Sequence, residues 1–342
     1  MQTKTYQFSS AKVNYYFDAD ISQLWKNVDK GSAVLVTDEN IYSAFPKKFK
    51  GCNTIVLKPG EDFKVQSTAD AIIAQLIEYK ADRKTFLIGV GGGVVTDMTG
   101  YVAAIYMRGL RFGFVPTSIL AMVDAAIGGK NGIDVGVYKN LVGTIRQPEF
   151  LLYDYCFLKK LPQQEWINGF AEIIKHSCIK DAKLFRELEK NKLSVYQKNK
   201  TALAKLIKRN VEIKSSVVQI DEFEKGDRRL LNFGHTLGHA IENIYELSHG
   251  QAISIGMTAA CHISEALAGF ADTERVASVL DQYGLPVYAE YDKKEAMDIL
   301  NMDKKREKGT MNYVLLEKIG KGVVRAIPVK ELEEIIYSSS EF

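Results

Sequence analysis

The chain has 342 residues, of which 46% are hydrophobic and 25% charged, a composition that is typical of a globular protein and excludes a disordered chain. This length predicts two domains of roughly 100 to 200 residues, each with its own core, and argues against a single small binding module. The formal net charge of +3 comes from 45 basic and 42 acidic residues spread along the chain, so nothing favours nucleic-acid binding.

Cysteine spacing and the N-terminal residues bear on location. The four cysteines stand far apart without a CxxC pair, so we expect neither a disulfide framework nor a thiolate zinc site, and a reducing compartment fits best. Residues 1–17 lack the basic start and apolar run of a signal peptide, and no apolar stretch is long enough to span a bilayer. We therefore expect a cytoplasmic protein with no membrane or nucleic-acid partner.

The first half alternates short apolar runs with helical patterns. Strands are predicted over 32–40, 53–58 and 85–93, with a helix over 65–79 between the last two. Helices placed between apolar strands indicate a parallel α/β sheet. We predict a Rossmann-like nucleotide-binding domain over residues 1–161.

After about residue 160 the strand pattern fades and long amphipathic stretches follow. The predicted helices cover residues 163–190, 199–219, 233–247 and 252–283. Residues 311–329 are predicted to be a late strand pair that bends at Gly320 to Gly322. Because proline disfavours helix in the residue before it, we place the start of a mainly helical second domain, 162–342, at Pro162.

Two segments of the first half are candidates for ligand binding. GVGGGVVTDMTG (89–100) ends an apolar strand and opens a helix, so its backbone amides can face a pyrophosphate, although a tight strand-to-helix packing turn has the same pattern. In Thr37-Asp38-Glu39, at the end of an earlier strand, a carboxylate can accept from a ribose hydroxyl or else cap a helix.

The segment VDAAIGGKNGIDVGVYKN (123–140) is rich in glycine yet carries Asp124, Lys130, Lys139 and Asn140. Lysines beside open backbone suit an anionic substrate. A flexible surface loop would have a similar composition, so composition favours neither interpretation.

Histidine clustering is the strongest chemical signal. His235 and His239 are four apart on a helical pattern and His249 follows them. Residues at i and i+4 share a helix face, so at least one of the pair can point into a cleft beside His249. Two neutral imidazoles with a carboxylate, for which Glu172 is the candidate, predict a zinc-type site with open coordination positions. The other histidines are interpreted as hydrogen-bonded structural residues: His176 and His262.

Together the motifs resemble the 3-dehydroquinate synthase family, within the sugar-phosphate cyclases. The matching segments run in family order over nearly the whole chain: PGEDFK (59–64), GGGVVTDMTGYVAA (91–104), YMRG (106–109), VPTSILAMVDAAIGGKNGID (115–134), KNLVG (139–143), GFAEIIKH (169–176), RRLLNFGHTLGHAIE (228–242), SHGQAISIGM (248–257) and MDKKREKG (302–309). The length and order of these segments exclude chance similarity.

The resemblance implies roles for individual residues. The metal ligands would be Glu172, His235 and His249. The NAD site would be lined by Asp38, Glu61, Lys64, Gly93, Val94, Val95, Thr96, Asp97, Thr117, Ser118, Lys130, Lys139, Phe157, Leu158, Lys159 and Lys160. The substrate would contact Asp124, Lys130, Asn140, Lys175, Lys214, Arg228, Asn232 and His239. Arg108 would reach the substrate phosphate across a dimer interface, and Lys304 would join the site.

Several positions depart from the usual family pattern: Thr96, Ser118, Ala125, Ala126, Lys160 and Gln251. Gln251 stands where a glutamate usually follows the His-Gly pair. The expected metal ligands and phosphate-binding bases are all present.

The implied activity is conversion of 3-deoxy-D-arabino-heptulosonate 7-phosphate to 3-dehydroquinate and phosphate, a lyase step of the shikimate pathway toward aromatic amino acids. It would use catalytic NAD and one divalent metal ion, zinc or cobalt, in a homodimer. Three alternatives stand beside it. One is a polyol dehydrogenase similar to glycerol dehydrogenase, which releases NADH and needs no phosphate site. The others are a cyclase for a different sugar phosphate and an inactive NAD-binding protein, which would have lost a ligand or base.

Overall fold

The computed structural model of the chain describes residues 1–136, 138–304 and 309–338, with the side chains of residues 243 and 301–304 excepted. The chain divides into two compact units. Unit 1 comprises Met1–Trp166 and Ala204–Phe223, and unit 2 comprises Ile167–Leu203 and Glu224–Phe342. The division does not follow a single boundary near Pro162, because residues 204–223 return to unit 1.

The return of residues 204–223 to unit 1 has a visible cause in their contacts. Lys4 Nζ lies 2.9 Å from Glu212 Oε1, and Gln219 Nε2 donates to the carbonyl of Gln7 at 2.8 Å. This helical stretch therefore packs on the N-terminal strands. Periodicity predicts that a stretch is helical but not which core it joins.

Unit 1 is built on a seven-stranded sheet with the order β1-β2-β9-β6-β5-β3-β4. The strands of unit 1 are β1 Gln2–Gln7, β2 Lys12–Phe17, β3 Ala33–Asp38, β4 Asn53–Leu57, β5 Phe86–Gly91, β6 Arg111–Pro116, β7 Lys130–Val135, β8 Tyr138–Ile145 and β9 Phe150–Tyr153. β1 and β2 are antiparallel, and the other pairs of this sheet are parallel. β7 and β8 form a separate antiparallel hairpin. The predicted parallel α/β sheet is confirmed.

Helices cover both units. They are α1 Glu39–Ala44, α2 Gln66–Glu78, α3 Gly93–Ile105, α4 Gln163–Lys180, α5 Ala182–Lys190, α6 Leu193–Lys198, α7 Lys200–Ile220, α8 His235–Ile244, α9 His249–Ala268, α10 Thr273–Gln282, α11 Lys293–Lys304 and α12 Val329–Ser338. Unit 2 adds one antiparallel hairpin, β10 Thr310–Lys318 and β11 Lys321–Pro328. Among the described residues, none of the helices combines the length and apolar character needed to cross a membrane.

The core of unit 1 forms where the central strands bury both faces. Leu35, Ile88 and Val90 are all 0% exposed, which is why β3 and β5 read as continuous apolar runs rather than alternating ones. β1 and β2 were not predicted, because an edge pair rich in lysine, threonine, tyrosine and asparagine carries a weak apolar signal.

Two long helical predictions are each divided in the structure. The stretch 163–190 is broken at Asp181, whose side chain accepts from the amides of Lys183 and Leu184 and starts α5. The stretch 252–283 is broken after Ala268, where α9 ends. Capping residues therefore set these boundaries, which periodicity alone does not locate.

Most of the described residues of the glycine-rich segment 123–140 form regular structure. The segment begins in a π-helical turn at Ala121–Ala125 and continues into β7. The flexible-loop interpretation is therefore wrong for these residues, because backbone pairing with β8 orders them.

Candidate functional site

Three side chains converge in unit 2. Glu172 on α4 is 0% exposed, and its Oε1 lies 3.5 Å from His235 Nε2 and 3.3 Å from His249 Nε2. The ligand atoms of these three residues all lie within 4.8 Å of one another. One carboxylate and two imidazoles at this spacing match the donor set of a catalytic divalent-metal site. The residues present therefore fit such an ion.

Helix starts place both imidazoles. His235 is the first residue of α8 and His249 the first of α9. α8 follows Gly234, whose φ of 78° is left-handed and favours glycine. The two helices approach closely, because a Cβ on Gly256 would collide with the carbonyl oxygen of Gly234. Their close packing fixes the spacing of the two histidines.

A capping box holds the start of α9. Ser248 is the N-cap, and Gln251 Oε1 accepts from the Ser248 amide at 2.9 Å. The hydroxyl of Ser248 also bonds the buried Asn168 Oδ1 at 2.7 Å. The departure at Gln251 thus preserves the capping geometry that a glutamate would provide.

The two imidazoles differ in their second ring nitrogen. His235 Nδ1 lies 3.1 Å from the carbonyl oxygen of Phe233, which holds Nε2 toward Glu172. Burial and the charge of Lys175 lower the pKa of His235 well below its usual range, so His235 is neutral at pH 7. A neutral imidazole is the form that binds a metal.

His249 has the more acidic surroundings. Its Nδ1 lies 3.6 Å from Glu242 Oε2. Burial opposes the charged form of His249, but its contacts with the Glu172 and Glu242 carboxylates outweigh burial and raise its pKa to about 9. A bound cation would therefore compete with a proton at this imidazole.

Charge in the group is partly balanced by the chain itself. Lys175, one helical turn after Glu172 and 1% exposed, forms an ion pair with its Oε2. The ring of His239 lies 5.1 Å from that of His235 and 6.3 Å from that of His249, although His239 is exposed. The three histidine rings therefore lie close together, as the i, i+4 spacing of His235 and His239 predicts.

The other unit 2 residues that the sequence marked lie in different settings. Arg228 is 2% exposed, and Asn232 Nδ2 donates to Glu224 Oε1 at 2.8 Å. His262 Nδ1 lies 3.1 Å from Glu265 Oε2, in agreement with its structural interpretation, and His176 is fully buried. The side chain of Lys304 lies outside those that the structure describes.

In unit 1 the glycine turn joins β5 to α3. Gly92 is the N-cap of α3 and has no side chain to cap it, so the first amides of this helix are available to an anion. A Cβ on Gly91 would meet the Val95 side chain at 2.4 to 2.7 Å. The packing-turn interpretation therefore describes Gly91, and anion binding at the start of α3 stays a prediction.

Asp97 on α3, a few residues after this turn, belongs to a charge cluster around the buried Lys64. Lys64 is 5% exposed, and its Nζ lies 2.8 Å from Asp97 Oδ2 on α3 and 3.3 Å from Glu61 Oε1. It also donates to Asn140 Oδ1 at 2.6 Å. Although burial alone would lower the pKa of Lys64, Asp97 and Glu61 raise it. We name Lys64, Asp97, Glu61 and Asn140 the Lys64 cluster.

Other NAD-site expectations fall on side chains with structural contacts. Asp38 caps α1 by accepting from the Ile41 amide at 2.9 Å, and Ser118 Oγ accepts from the Ala121 amide at 3.1 Å. Thr96 Oγ1 donates to the Gly93 carbonyl at 2.9 Å. For Asp38 the helix-cap interpretation describes the structure.

Burial separates the remaining expected NAD contacts. Those 8% exposed or less are Val95, Thr117, Ser118, Phe157 and Leu158. Val94 is half-buried, and the exposed pair is Lys159 and Lys160. Phe157 packs edge-on against Phe45 with ring centroids 4.9 Å apart, so its side chain belongs to the core.

Two of the substrate contacts expected in unit 1 form an ion pair with each other, and most of the others are exposed. Lys214 Nζ lies 2.7 Å from Asp124 Oδ1. Lys130 and Asn140 are exposed on the β7–β8 hairpin, where Lys139 is half-buried. Arg108 is exposed and has a left-handed φ of 67°.

Sequence reasoning gave no role to Glu242. It lies on α8 at i+7 from His235, a spacing that returns to the same helix face. The i+7 spacing is visible in the sequence, but it indicates a role for Glu242 only when the structure shows which face of α8 lies toward His249.

Two family models match the chain in succession. Residues 54–168 match the model described as 3-dehydroquinate synthase N-terminal, and residues 169–306 match the 3-dehydroquinate synthase C-terminal model. The 3-dehydroquinate synthase of Methylacidiphilum infernorum is 45% identical over 273 residues, which are 78% of this chain and 74% of that protein.

Solved structures of two cyclases are similar over almost the whole chain. The 2-epi-5-epi-valiolone synthase of Streptomyces hygroscopicus, with NAD⁺ and Zn²⁺ bound, is 26% identical with a TM-score of 0.86 and covers 98% of both chains. A 2-deoxy-scyllo-inosose synthase complexed with carbaglucose-6-phosphate, NAD⁺ and Co²⁺ is 25% identical with a TM-score of 0.85, over 98% of this chain and 99% of the other.

Proposed function

This chain belongs to the 3-dehydroquinate synthase family, and we propose that it converts 3-deoxy-D-arabino-heptulosonate 7-phosphate to 3-dehydroquinate and phosphate. The reaction uses NAD and one divalent metal ion, zinc or cobalt. It is a carbon–oxygen lyase step of the shikimate pathway. The observation that carries the proposal is the convergence of Glu172, His235 and His249 within 4.8 Å.

In unit 2 the chain supplies a prepared set of metal ligands. When bound, the ion acts as a Lewis acid that lowers the pKa of substrate hydroxyls. The Phe233 carbonyl orients His235, and the α9 capping box holds His249 in place. Lys175 offsets the charge of Glu172. The ligands are thereby fixed before the substrate arrives, which reduces the reorganisation that the reaction requires.

In unit 1 the chain supplies groups that suit a dinucleotide. NAD held by these residues would supply reversible hydride transfer, so that no net NADH would form. The open amides at the start of α3 suit its pyrophosphate. Asp38, which caps α1 through the Ile41 amide, can in addition accept from a ribose hydroxyl. Residues 1–161 and 162–342 carry these two tasks respectively.

The phosphate of the substrate needs cationic and polar partners. Arg108, Lys130 and Asn140 are exposed, so their donors can meet an arriving anion. His239 is exposed beside the metal ligands. We propose that in unit 1 Lys130 and Asn140 contact the phosphate, that Arg108 reaches it across the dimer interface, and that Lys214 contacts the substrate. In unit 2 we propose His239, Arg228 and Asn232 as substrate contacts.

The test is the stoichiometry of products with catalytic NAD. We expect metal-loaded protein to release phosphate and 3-dehydroquinate in equal amounts without net NADH, and chelator-treated protein to release neither. Steady NADH production from glycerol would instead assign a polyol dehydrogenase. Phosphate release from a different sugar phosphate alone would assign another cyclase.

The exposed apolar side chains of unit 1 favour a homodimer. Tyr138, Leu141 and Val142 on β8 are 53%, 50% and 40% exposed, and Met107, beside Arg108, is 43% exposed. Exposed apolar groups concentrated on one hairpin are typical of an interface.

The dimer is tested by sedimentation. Leu141→Glu should convert a wild-type dimer to monomer, whereas Val195→Glu, an exposed apolar position on α6 of unit 2, should not. A monomeric wild type would contradict the dimer.

We propose a cytoplasmic location. All four cysteines are free thiols, as expected in a reducing compartment. Fractionation of the native host, followed by immunodetection, checks the location.

A further inference from the structure

His249 lies between two carboxylates that face opposite sides of its ring. Glu172 Oε1 is 3.3 Å from Nε2, and Glu242 Oε2 is 3.6 Å from Nδ1. The Glu242 side chain is only 5% exposed, whereas that of His249 is 30% exposed. Because the Glu242 carboxylate is almost completely buried, its orientation is determined by neighbouring protein groups rather than by solvent.

An imidazole that binds a metal ion coordinates it through one of its two ring nitrogens. The other nitrogen then carries the proton, and its hydrogen-bond acceptor decides which tautomer is present. Since Nε2 of His249 faces Glu172, Nδ1 is the nitrogen that needs an acceptor. Glu242 lies on that side.

The two histidine ligands have acceptors of different charge. The Nδ1 of His235 faces a neutral backbone carbonyl, that of Phe233, at 3.1 Å. The Nδ1 of His249 faces a carboxylate. A carboxylate acceptor makes the opposite nitrogen a stronger donor to metal than a carbonyl does.

The fold fixes the distance between Glu242 and His249. Glu242 lies on α8 and His249 begins α9. The helices pack without side chains between Gly234 and Gly256, and the α9 start is held by its capping box with Gln251. Glu242 and His249 therefore lie on two helices that are in close contact.

We propose that Glu242 is a positioning residue, which accepts the Nδ1 proton of His249 and so directs Nε2 to the metal. This inference rests on the proposed metal-dependent function. It adds an outer carboxylate to the Glu172, His235 and His249 group. Glu242 touches neither substrate nor cofactor in this role.

The test measures metal affinity in Glu242→Gln. The dissociation constant for Zn²⁺, determined in competition with a chromogenic chelator, should rise about 10-fold to 100-fold. Glu242→Asp should recover part of the affinity because it keeps the charge. Glu246→Gln is the matched control, since Glu246 is exposed just beyond α8, and it should bind Zn²⁺ like the wild type.

A second readout separates positioning from a general loss of structure. In the zinc-loaded wild type, ¹⁵N chemical shifts should show the proton of His249 on Nδ1, and in Glu242→Gln this resonance should shift while that of His235 does not. Unchanged zinc affinity and shifts in Glu242→Gln would overturn the proposal. So would a second equivalent of zinc that is lost in this variant, because His239, Glu242 and His249 also lie within 4.8 Å.

These readouts use zinc alone and need no turnover. A wild type that binds zinc but releases no phosphate would overturn the proposed function and leave the role of Glu242 standing. Normal phosphate release by the wild type, together with unchanged zinc affinity and ¹⁵N shifts in Glu242→Gln, would support the proposed function and overturn the role of Glu242.

Discussion

The Glu172 group of unit 2 and the Lys64 cluster of unit 1 both bury charge, in opposite ways. Lys64 is an ammonium surrounded by Asp97, Glu61 and the Asn140 amide oxygen. Glu172 instead faces one lysine and two imidazole nitrogens that add no charge of their own when neutral. In unit 1 the chain provides the cation at the centre of the cluster, whereas in unit 2 Lys175 balances the charge of Glu172 and three further donor atoms are directed toward an ion that must be bound.

A charge cluster that contains its own cation differs from one that requires a bound cation. Every charged member of the Lys64 cluster has a partner of opposite charge within the chain, so we expect the cluster to contribute to the stability of unit 1 even without a bound ligand, in addition to the NAD contacts predicted for Glu61, Lys64 and Asp97. The unit 2 group concentrates Lewis bases whose mutual closeness is useful when an ion is present. Removing a charge should therefore affect stability in unit 1 and metal binding in unit 2.

The largest expected effect is that of Glu172→Gln. A neutral amide is a weak metal ligand, and the loss of several kcal/mol of metal stabilisation corresponds to a fall of about 1,000-fold in the rate of phosphate release. His262→Ala, a histidine on α9 outside the group, is the control and should keep its activity. Rates measured with saturating Zn²⁺ or Co²⁺ check this, and a Glu172→Gln rate close to the wild type would contradict the assignment.

Lys64→Met comes next, and its effect should appear in stability. Loss of the ammonium leaves the Asp97 carboxylate, which is 16% exposed, without its ion partner, so we expect the free energy of unfolding to fall by about 3 kcal/mol. The double variant Lys64→Met with Asp97→Asn should recover part of the lost free energy of unfolding, since position 97 then has no charge without an ion partner. Urea unfolding measures both.

Lys84→Met provides the comparison for that experiment. Lys84 is exposed in unit 1, and its replacement should change stability by less than about 0.5 kcal/mol. Equal destabilisation by Lys64→Met and Lys84→Met would show that the Lys64 cluster is not structural.

The smallest effect is expected at the α9 start. Gln251→Ala removes the acceptor of the Ser248 amide and should cost about 1 kcal/mol. Gln251→Glu keeps the capping box and should be stable within about 0.5 kcal/mol of the wild type. Thermal unfolding of metal-free protein measures both, and identical midpoints for all three proteins would show that this cap does not matter.

Much of the fold could be predicted because local patterns decide it. The buried strands β3 and β5 carry continuous apolar residues, and the α8 and α9 regions carry helical periodicity. Predictions failed where a single capping residue decides the outcome, as at Asp181. At β7 composition left two interpretations open, because the strand pairing that orders this glycine-rich segment is not visible in composition.

The site was partly predictable for a related reason. His235, His239 and His249 are close in sequence, so their clustering was visible without a structure. The pairing of Lys64 with Asp97 and that of Lys214 with Asp124 join distant positions, and only the sheet and helix packing brings them together. Glu242 lacked a role because its partner His249 lies on another helix.

The most direct test of the central claim is a titration of metal-free protein with Zn²⁺ or Co²⁺ while phosphate release is followed with catalytic NAD. If Glu172, His235 and His249 hold the required ion, activity should rise from near zero and level off at one equivalent per chain. Full activity in the metal-free protein would contradict the assignment of Glu172, His235 and His249 as ligands of a required ion.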